Sequence, residues 1–412
     1  MNLSLIFNRK TIKGMLKPVT LVFLTLFLFA LPSFEAPKNI FLAGFLIFSI
    51  YFQMNKGKIA PLKGYEYAFL IYIASALLSA FLVKNSGGEW KGFRGMFLWT
   101  SFALILSRNK YSGEEISWLF QVAIISIIGP LAWSYIEIFI LHTKDSLQLH
   151  SVGHVNHSAI YLTIIYGATL GFLLKTKINF RKKIIYGAIA SFLLASIFIG
   201  QSRAAIISAM LITIIAAINL KKNKLNLIVL FLIIASISIK INLGNDLNVI
   251  EKIKKTNTAE DALSHRKEIW NTGFEVFRSN ELFGIGNGNW KQITPDVIKS
   301  SVESRGSKYK EEKYFFAAHA PSLYISNLVE RGLLGIFALM SIIVIWAKTL
   351  IDSYRRNMLT TEGNFLWLGS LSAFISTFLI GFVNSTFHHE NALIALFFFS
   401  LHVMYNKEIN AK

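Results

Sequence analysis

The sequence predicts an all-α polytopic membrane protein with about 12 transmembrane helices and one large, partly helical loop on one side of the membrane. The first observation is composition, because 53% of the 412 residues are hydrophobic. The second is continuity: the apolar residues form runs near the length of ~20 residues that crosses a bilayer as a helix. Apolar and polar residues do not alternate within the runs, so the strands of a membrane barrel are not indicated.

The apolar runs give the order of the elements. One long polar stretch divides them into an N-terminal transmembrane bundle of about nine spans over 1–241, a loop module over 242–318 and a C-terminal segment of about three spans over 319–412. Pro130 is expected to kink the fifth run, because proline lacks the N–H that continues a helix. The first run has basic residues before it and no small-residue cleavage site after it, so it is interpreted as an uncleaved span. The runs lie near 19–34, 39–54, 66–83, 93–107, 116–141, 159–174, 184–200, 204–220, 227–241, 333–351, 364–383 and 391–405.

Basic residues favour every second link between the runs. This bias places both termini in the cytoplasm and the 242–318 loop outside, because cytoplasmic links are enriched in Lys and Arg. The net charge of +19 therefore reflects membrane topology, and no basic stripe with interleaved aromatics indicates nucleic acid. The absence of Cys excludes a disulfide framework and thiol chemistry. The opposite short links hold Lys38, Lys84, Lys91, Arg94, Lys144 and Arg203.

Arg203 is a candidate ligand for a lipid-linked phosphate. It follows Gly200-Gln201-Ser202 in a link so short that its side chain lies close to the hydrocarbon. A guanidinium matches two phosphate oxygens at once and stays charged at any working pH. The alternative interpretation is an arginine that extends its side chain to the lipid headgroups.

Arg266 is a second candidate on the outer face. Thr258 and Asp261 resemble a capping box, which predicts a helix beginning there. Arg266 would lie along the apolar stripe of that helix, either bordering its buried face or directed into a cleft beneath the module. The stripe consists of Leu263, Trp270, Phe274 and Phe277.

His319 is the candidate general base. It lies where the loop module returns to the membrane, and Pro321 suits the first position of a following helix. The N-terminus of a helix favours a neutral imidazole, which is the form a base requires. The alternative interpretation is a structural histidine beside a membrane helix.

Three further motifs lie on the outer face. The alternating glycines of 283–289 favour a tight turn over a phosphate loop, since the βαβ context is missing, although backbone N–H groups could still bind an anion. Two histidine groups occur, one at His150, His154 and His157 and one at His388-His389-Glu390. A metal site is not favoured, because Gly153 opposes a helical spacing and few carboxylates lie nearby. The sequence holds neither a Walker motif nor an Asp-x-Asp pair.

Taken together, these residues resemble the O-antigen ligase family of bacterial inner-membrane proteins, which have about twelve spans and a periplasmic loop. The order and placement of the pieces around one outer loop are more specific than any single piece. The matching pieces are Gly153-His154-Val155-Asn156, Ser202-Arg203-Ala204, Arg266 with Ile269-Trp270, Leu282-Phe283-Gly284-Ile285-Gly286, His319 with Leu323, and Glu330-Arg331-Gly332-Leu333-Leu334-Gly335. A departure is Ala320-Pro321 after the histidine, where relatives often have Asn.

The resemblance implies transfer of O-antigen polysaccharide from undecaprenyl diphosphate onto lipid A–core at the periplasmic side of the inner membrane, in lipopolysaccharide biosynthesis. It implies Arg203, Arg266 and His319 as catalytic residues, and His154 and Asn156 are expected to bind substrate. A glycosyl diphosphate already has a good leaving group, so the reaction needs charge stabilisation and one base. One base and a direct displacement imply inversion, and neither a metal nor a cofactor is expected.

Two other functions stay open from the sequence. A repeat-unit polymerase would use the same lipid-linked donor with a growing glycan as acceptor. A glycolipid transporter is less favoured, because it would place ionisable residues deep within spans, whereas the assigned charges lie chiefly in links and span ends, with Glu137 near the outer end of the fifth span as an exception. Membrane lipids are expected partners, nucleic acid is not, and the oligomeric state is left open.

Overall fold

A computed structural model describes residues 9–55, 61–83, 88–174, 178–219, 265–317, 320, 322–357 and 363–409. Within these ranges the chain is helical and contains no β-strand, as the sequence predicts. The α-helix at Gly363–Phe374 continues through a π-helical turn at Ile375–Leu379 and a 3₁₀ turn at Ile380–Phe382. The α-helices are α1 (Arg9–Ala30), α2 (Glu35–Met54), α3 (Gly64–Leu82), α4 (Gly88–Arg108), α5 (Gly113–Ile125), α6 (Ile128–Phe139), α7 (Val155–Leu173), α8 (Phe180–Ile199), α9 (Arg203–Ile218), α10 (Arg266–Ser279), α11 (Pro295–Ser304), α12 (Leu323–Asn357), α13 (Gly363–Phe374) and α14 (His389–Ile409).

The apolar runs coincide with helices wherever the structure describes them. Five helical segments are long and apolar enough to cross a membrane, namely α3, the α5–α6 pair, α8, α12 and α13 with its extension. Shorter apolar helices lie at Lys17–Ala30 and Arg203–Ile218. The chain is therefore a multi-pass membrane protein, while the number of twelve spans stays a prediction. The run at 227–241 and the predicted domain boundaries at 241 and 318 lie outside the described residues.

The fifth run contains the predicted interruption. It forms two helices, α5 and α6, with a break at Ser126 and Ile127. Pro130 lies four residues after Ser126 and has no N–H to donate to the carbonyl of that residue. The interruption lies one turn before Pro130, where the sequence predicts a kink, and the kink itself stays a prediction.

Helices α7, α13 and α14 form the centre of the bundle. The side chains of α7 are buried on every side from Ser158 to Phe172, which is the pattern of a helix enclosed by others. α13 packs against both α7 and α14. Gly167 and Gly171 of α7 allow the close approach, because a β-carbon on Gly171 would meet the backbone carbonyl of Phe365.

Charged contacts join the links at two opposite ends of the bundle. At one end Lys38 of α2 forms a buried ion pair with Glu390 of α14, and its Nζ also donates to Ser151 Oγ at 3.1 Å. At the other end Arg108 Nε lies 2.7 Å from Glu66 Oε1. We refer to these as the Lys38 end and the Arg108 end. The links that meet at each end are therefore the ones that the alternation of basic residues places on the same side of the membrane.

A loop from Asn280 to Gly288 packs its backbone directly against a break in α12. The break is at Gly332, whose φ of 62° and ψ of −154° are not helical. Leu333 N–H donates to Glu281 O at 2.7 Å, and Gly286 N–H donates to Glu330 O at 2.9 Å. We call this contact the glycine junction, because Gly284 and Gly332 both have positive φ and a β-carbon on either would collide with the backbone of the opposite segment.

We expect Gly284→Ala to destabilise the protein much more than Gly306→Ala. Both glycines have a similar left-handed φ, 67° and 74°, so both substitutions carry a similar cost of about 1–2 kcal/mol. Only at Gly284 does the new methyl group meet backbone, at Glu330 and Arg331, whereas at Gly306 it enters open space. Overpacking of this kind adds roughly 1–3 kcal/mol or more. Thermal unfolding of both variants in detergent measures the difference, and equal shifts would contradict the packing at the junction.

Candidate functional site

Arg203 is the first residue of α9 and lies at the Lys38 end. The preceding link has three residues, Gly200 to Ser202, so the predicted short turn is confirmed. Gln201 takes a left-handed φ of 54°, which reverses the chain within this link. The guanidinium-bearing side chain of Arg203 is exposed.

Arg266 is the first residue of α10, not a residue in the middle of a longer helix. His265 before it has a left-handed φ of 57°, so no helix runs from Thr258 through this position, and that prediction is wrong. Thr258, Asp261 and Leu263 lie outside the described residues. The imidazole of His265 stacks on the ring of Phe315 with 4.7 Å between ring centroids and 7° between planes.

The buried face of α10 differs from the predicted stripe. Ile269, Thr272, Gly273 and Val276 are buried, whereas Phe274 is 44% exposed. Gly273 decides this orientation, because its missing side chain lets α10 approach Ile325 of α12 closely. With this face of α10 buried, the side chain of Arg266 is half-buried.

The structure brings the two predicted arginines together. Burial lowers the pKa of the Arg266 guanidinium, and the positive charge of Arg203 lowers it further. Arginine nevertheless stays protonated in proteins. In the ranges the structure covers, no carboxylate forms a salt bridge with either side chain, whereas Arg108, Arg278 and Arg305 each have one. Two like charges are thus held near each other without an acidic residue from the described chain.

The segment before His319 is attached to α10. Asn271 Nδ2 donates to Lys313 O at 3.1 Å, and Phe315 N–H donates to Thr272 Oγ1 at 3.2 Å. Trp290 Nε1 donates to Ala317 O at 3.1 Å. The chain that leads to His319 is therefore fixed to the helix that begins with Arg266.

The segment after His319 is attached to the turn that follows α13. Ser385 Oγ donates to Ala320 O at 2.7 Å, and Leu323 N–H donates to Asn384 O at 3.1 Å. The neighbouring 380–382 turn contacts α9, the helix that begins with Arg203. His319 itself lies outside the described residues, as do Ala318 and Pro321.

The start of α12 corrects one sequence prediction. The helix begins at Leu323, and Ser322 Oγ accepts the N–H of Tyr324 at 3.2 Å, so Ser322 and not Pro321 marks the helix start. The effect of a helix dipole falls off within the first turn. Because His319 precedes Leu323 by four residues, the dipole of this helix does not favour a neutral imidazole at position 319.

The glycine-rich segment is a turn, as favoured, and most of its backbone N–H groups already have acceptors within the protein. The carboxylate of Glu330 accepts the backbone N–H groups of Gly288 and Trp290. Ile285 N–H donates to Val329 O at 3.0 Å. The alternative of an anion bound by this loop is therefore wrong for these donors. Sequence reasoning missed Glu330 in this role, although a carboxylate at the edge of a predicted span was a usable signal.

His154 and Asn156 lie at the start of α7. His154 is the N-cap, and its Nδ1 accepts the N–H of Asn156 at 3.3 Å. A β-carbon on Gly200 would lie 3.9 Å from the side chain of Ala159, so this helix start adjoins the link before Arg203. No group of three or more His, Asp or Glu side chains in the described ranges is arranged to hold a metal ion.

A family model described as O-antigen ligase matches residues 188–340. Over this stretch, which is less than half of the chain, the protein is similar to the O-antigen ligase family. The match begins within α8, ends within α12, and includes Arg203, Arg266, His319 and the glycine junction. The resemblance found in the sequence is confirmed. No curated protein matches the chain.

The matched family indicates a glycosyltransferase-like enzyme that processes O-antigen. The family implies lipid-linked polysaccharide and lipid A–core as substrates in general. His154, Asn156 and the second histidine group at His388 lie outside the matched residues. Their surroundings are therefore known from the structure alone.

Proposed function

We propose that the chain is an inverting, metal-independent glycosyltransferase that ligates O-antigen polysaccharide from undecaprenyl diphosphate onto lipid A–core. The observation that carries this proposal is the pair Arg203 and Arg266, which come from separate helices and act on each other electrostatically. Like charges held together disfavour each other, and an anion between them relieves that repulsion. A diphosphate supplies the charge, and its oxygens match the planar fork of each guanidinium.

The proposed reaction needs one bond exchange and one proton transfer. The acceptor hydroxyl oxygen attacks the anomeric carbon of the donor from the face opposite the diphosphate, and the bond from that carbon to the diphosphate oxygen breaks. The electron pair of the broken bond leaves with the diphosphate, where Arg203 and Arg266 stabilise the charge. His319 takes the proton of the acceptor hydroxyl. Attack from the opposite face inverts the anomeric configuration.

The contacts on both sides of His319 support its part in this proposal. The segment up to Phe315 is fixed to α10, which begins with Arg266, and Trp290 holds the carbonyl of Ala317. The segment from Ala320 is fixed to the turn whose neighbour contacts α9, which begins with Arg203. His319 is connected in sequence to both segments, one of which is attached to the helix of Arg266 and the other to the turn beside the helix of Arg203.

The proposal places the enzyme in the bacterial inner membrane, with the Lys38 end facing the periplasm and both termini in the cytoplasm. The support is the bias of basic residues toward links at the Arg108 end. This orientation gives Arg203 and Arg266 access to a lipid-linked donor in the outer leaflet. His154 and Asn156 are proposed to contact substrate, because the start of α7 adjoins the link before Arg203.

The lipopolysaccharide of a strain lacking the chain tests the function and separates ligase from polymerase. For a ligase we expect loss of long chains from lipid A–core while lipid-linked polymer accumulates, because the polymer is still made but not transferred. Gel profiles of lipopolysaccharide and of the extracted lipid-linked fraction give the result. Core capped by a single repeat would instead indicate a repeat-unit polymerase, and an unchanged profile would exclude both functions.

Arg203→Lys and Arg266→Lys are each expected to lower kcat roughly a hundredfold or more. Lysine keeps the charge but loses the planar fork, and removal of one preorganised donor costs about 3 kcal/mol of transition-state stabilisation. Arg278→Lys is the matched control, because Arg278 lies on the same helix as Arg266 and is largely exposed. Transfer by purified protein is the measurement. If both lysine variants transfer at wild-type rates with normal thermal stability, the arginines serve only as anchors at the membrane interface.

His319→Ala is expected to lower the transfer rate by about a hundredfold to ten-thousandfold, which is the usual effect of removing a general base. Binding of the lipid-linked donor and thermal stability should stay near wild type, since the arginines are unchanged. Wild-type activity should also survive EDTA. His150→Ala, which removes an exposed histidine near the same end, serves as the control. Near-normal transfer without His319, or activity lost in EDTA and restored by a divalent ion, would overturn the mechanism.

A further inference from the structure

Four histidines from two distant segments meet at the Lys38 end. His154 and His157 lie at the start of α7, and His388 and His389 lie at the start of α14. The distances between ring centroids are 5.9 Å for His154–His157, 4.6 Å for His157–His388 and 5.0 Å for His388–His389. We call these four residues the histidine row. The two histidine groups of the sequence are therefore one structural feature.

Hydrogen bonds and a buried ion pair join the two segments that carry the row. Asn391 Nδ2 donates to His157 O at 3.3 Å, which joins α14 to α7. The buried ion pair of Lys38 and Glu390 adds a third helix, and Ser151 Oγ lies 3.3 Å from Glu390 Oε1. A buried ion pair contributes little net stability, because desolvation offsets the attraction. Its effect here is to fix the position of α14 where the row begins.

The row forms a partly exposed surface without a fixed net charge. His154 and His389 are exposed, and His157 and His388 are half-buried. Lys38 is only 4% exposed, and Glu390, only 6% exposed, neutralises it. Each neutral imidazole offers one N–H donor, one nitrogen acceptor and two flat faces.

We propose that the histidine row binds a glycan. Sugar hydroxyls both donate and accept hydrogen bonds, so they pair with either nitrogen of an imidazole, and the flat rings suit the apolar face of a pyranose. A phosphate would favour arginine or lysine on the surface, as at Arg203 and Arg266, and the row presents neither. The row is therefore chemically distinct from the arginine pair.

The position of the row suits a chain of sugars that extends from the transfer site. Ser385, three residues before His388, donates to Ala320, the residue after His319. At the other end of the row, the start of α7 adjoins Gly200 and hence the link before Arg203. This placement beside the transfer site rests on the proposed function. The glycan is the donor polysaccharide or the core oligosaccharide of the acceptor, since both enter that site.

The double variant His388→Gln/His389→Asn tests the row. Asn is chosen at position 389 because His389 has a left-handed φ of 46°, which Asn tolerates. Two lipid-free probes are titrated calorimetrically: polysaccharide released from the donor by hydrolysis, and core oligosaccharide released from lipid A. We expect the Kd of one probe to rise about threefold to tenfold, as for loss of one or two neutral hydrogen bonds. The KM of the lipid-linked substrate that bears the same glycan should rise equally, with kcat and the thermal midpoint unchanged.

His150→Gln is the matched control, because His150 is exposed near the same end and makes no ring contact with the row. The probe whose affinity falls identifies the source of the glycan. Equal affinities in wild type, control and double variant, or no binding of either probe to the wild type, would overturn the proposal. If the double variant loses probe binding while wild type transfers no polysaccharide, the glycan site stands and the proposed function fails.

Discussion

The packing of backbone against backbone at the glycine junction is the contact on which the candidate site depends. α10 leads directly into the loop at Gly284, and the start of α12 leads back toward His319, so the junction fixes both elements relative to each other. The break at Gly332 interrupts the hydrogen bonds of α12, and the membrane offers no water to replace them. The carbonyls of Glu281 and Leu282 accept the N–H groups of Leu333 and Leu334 and repair the interruption.

The junction is also fixed to the transmembrane bundle. Ser79 Oγ of α3 lies 3.0 Å from Phe283 O and 2.9 Å from Glu330 O, so one hydroxyl contacts both sides of the junction. The guanidinium of Arg331 lies 4.3 Å from the ring centroid of Tyr72 and donates to Ser75 Oγ at 2.8 Å. Buried cations at structural positions thus have partners within the bundle. Arg203 and Arg266 form no salt bridge in the described ranges, and Arg331 forms none either, so burial and the contacts with Tyr72 and Ser75 are what identify Arg331 as a structural cation.

Much of the fold could be predicted because the membrane imposes a strong pattern. Continuous apolar runs predicted the helices, and Pro130 predicted the interruption of the fifth run, since each signal acts locally. The first residue of α10 could not be predicted, because a left-handed His265 has no signature in composition or spacing. The predicted start of α12, at Pro321, was wrong. Both a capping serine and a proline at the first helical position are start signals, and here Ser322 caps the helix.

Of the candidate site, sequence reasoning found the residues but not their arrangement. Arg203 and Arg266 were chosen one by one for their chemistry, and only the folded chain shows that their charges act on each other. The two histidine groups were separated by more than half of the chain, and spacing carries no information about such distant contacts. Glu330 was passed over because its partners are backbone N–H groups, which every residue type except proline possesses.

Under the proposed function, the arginine pair and the histidine row divide the energetic demands of polysaccharide transfer. The diphosphate gains charge only as its bond to the sugar breaks, so a cationic surface binds the transition state more strongly than the ground state and raises kcat. The remote sugars of a polymer do not change during the reaction, and contacts with them are equal in both states. Such uniform binding lowers KM without raising kcat. Strong cations along the polymer would therefore slow release of product without accelerating transfer, and the histidine row, which presents neither arginine nor lysine, avoids that cost.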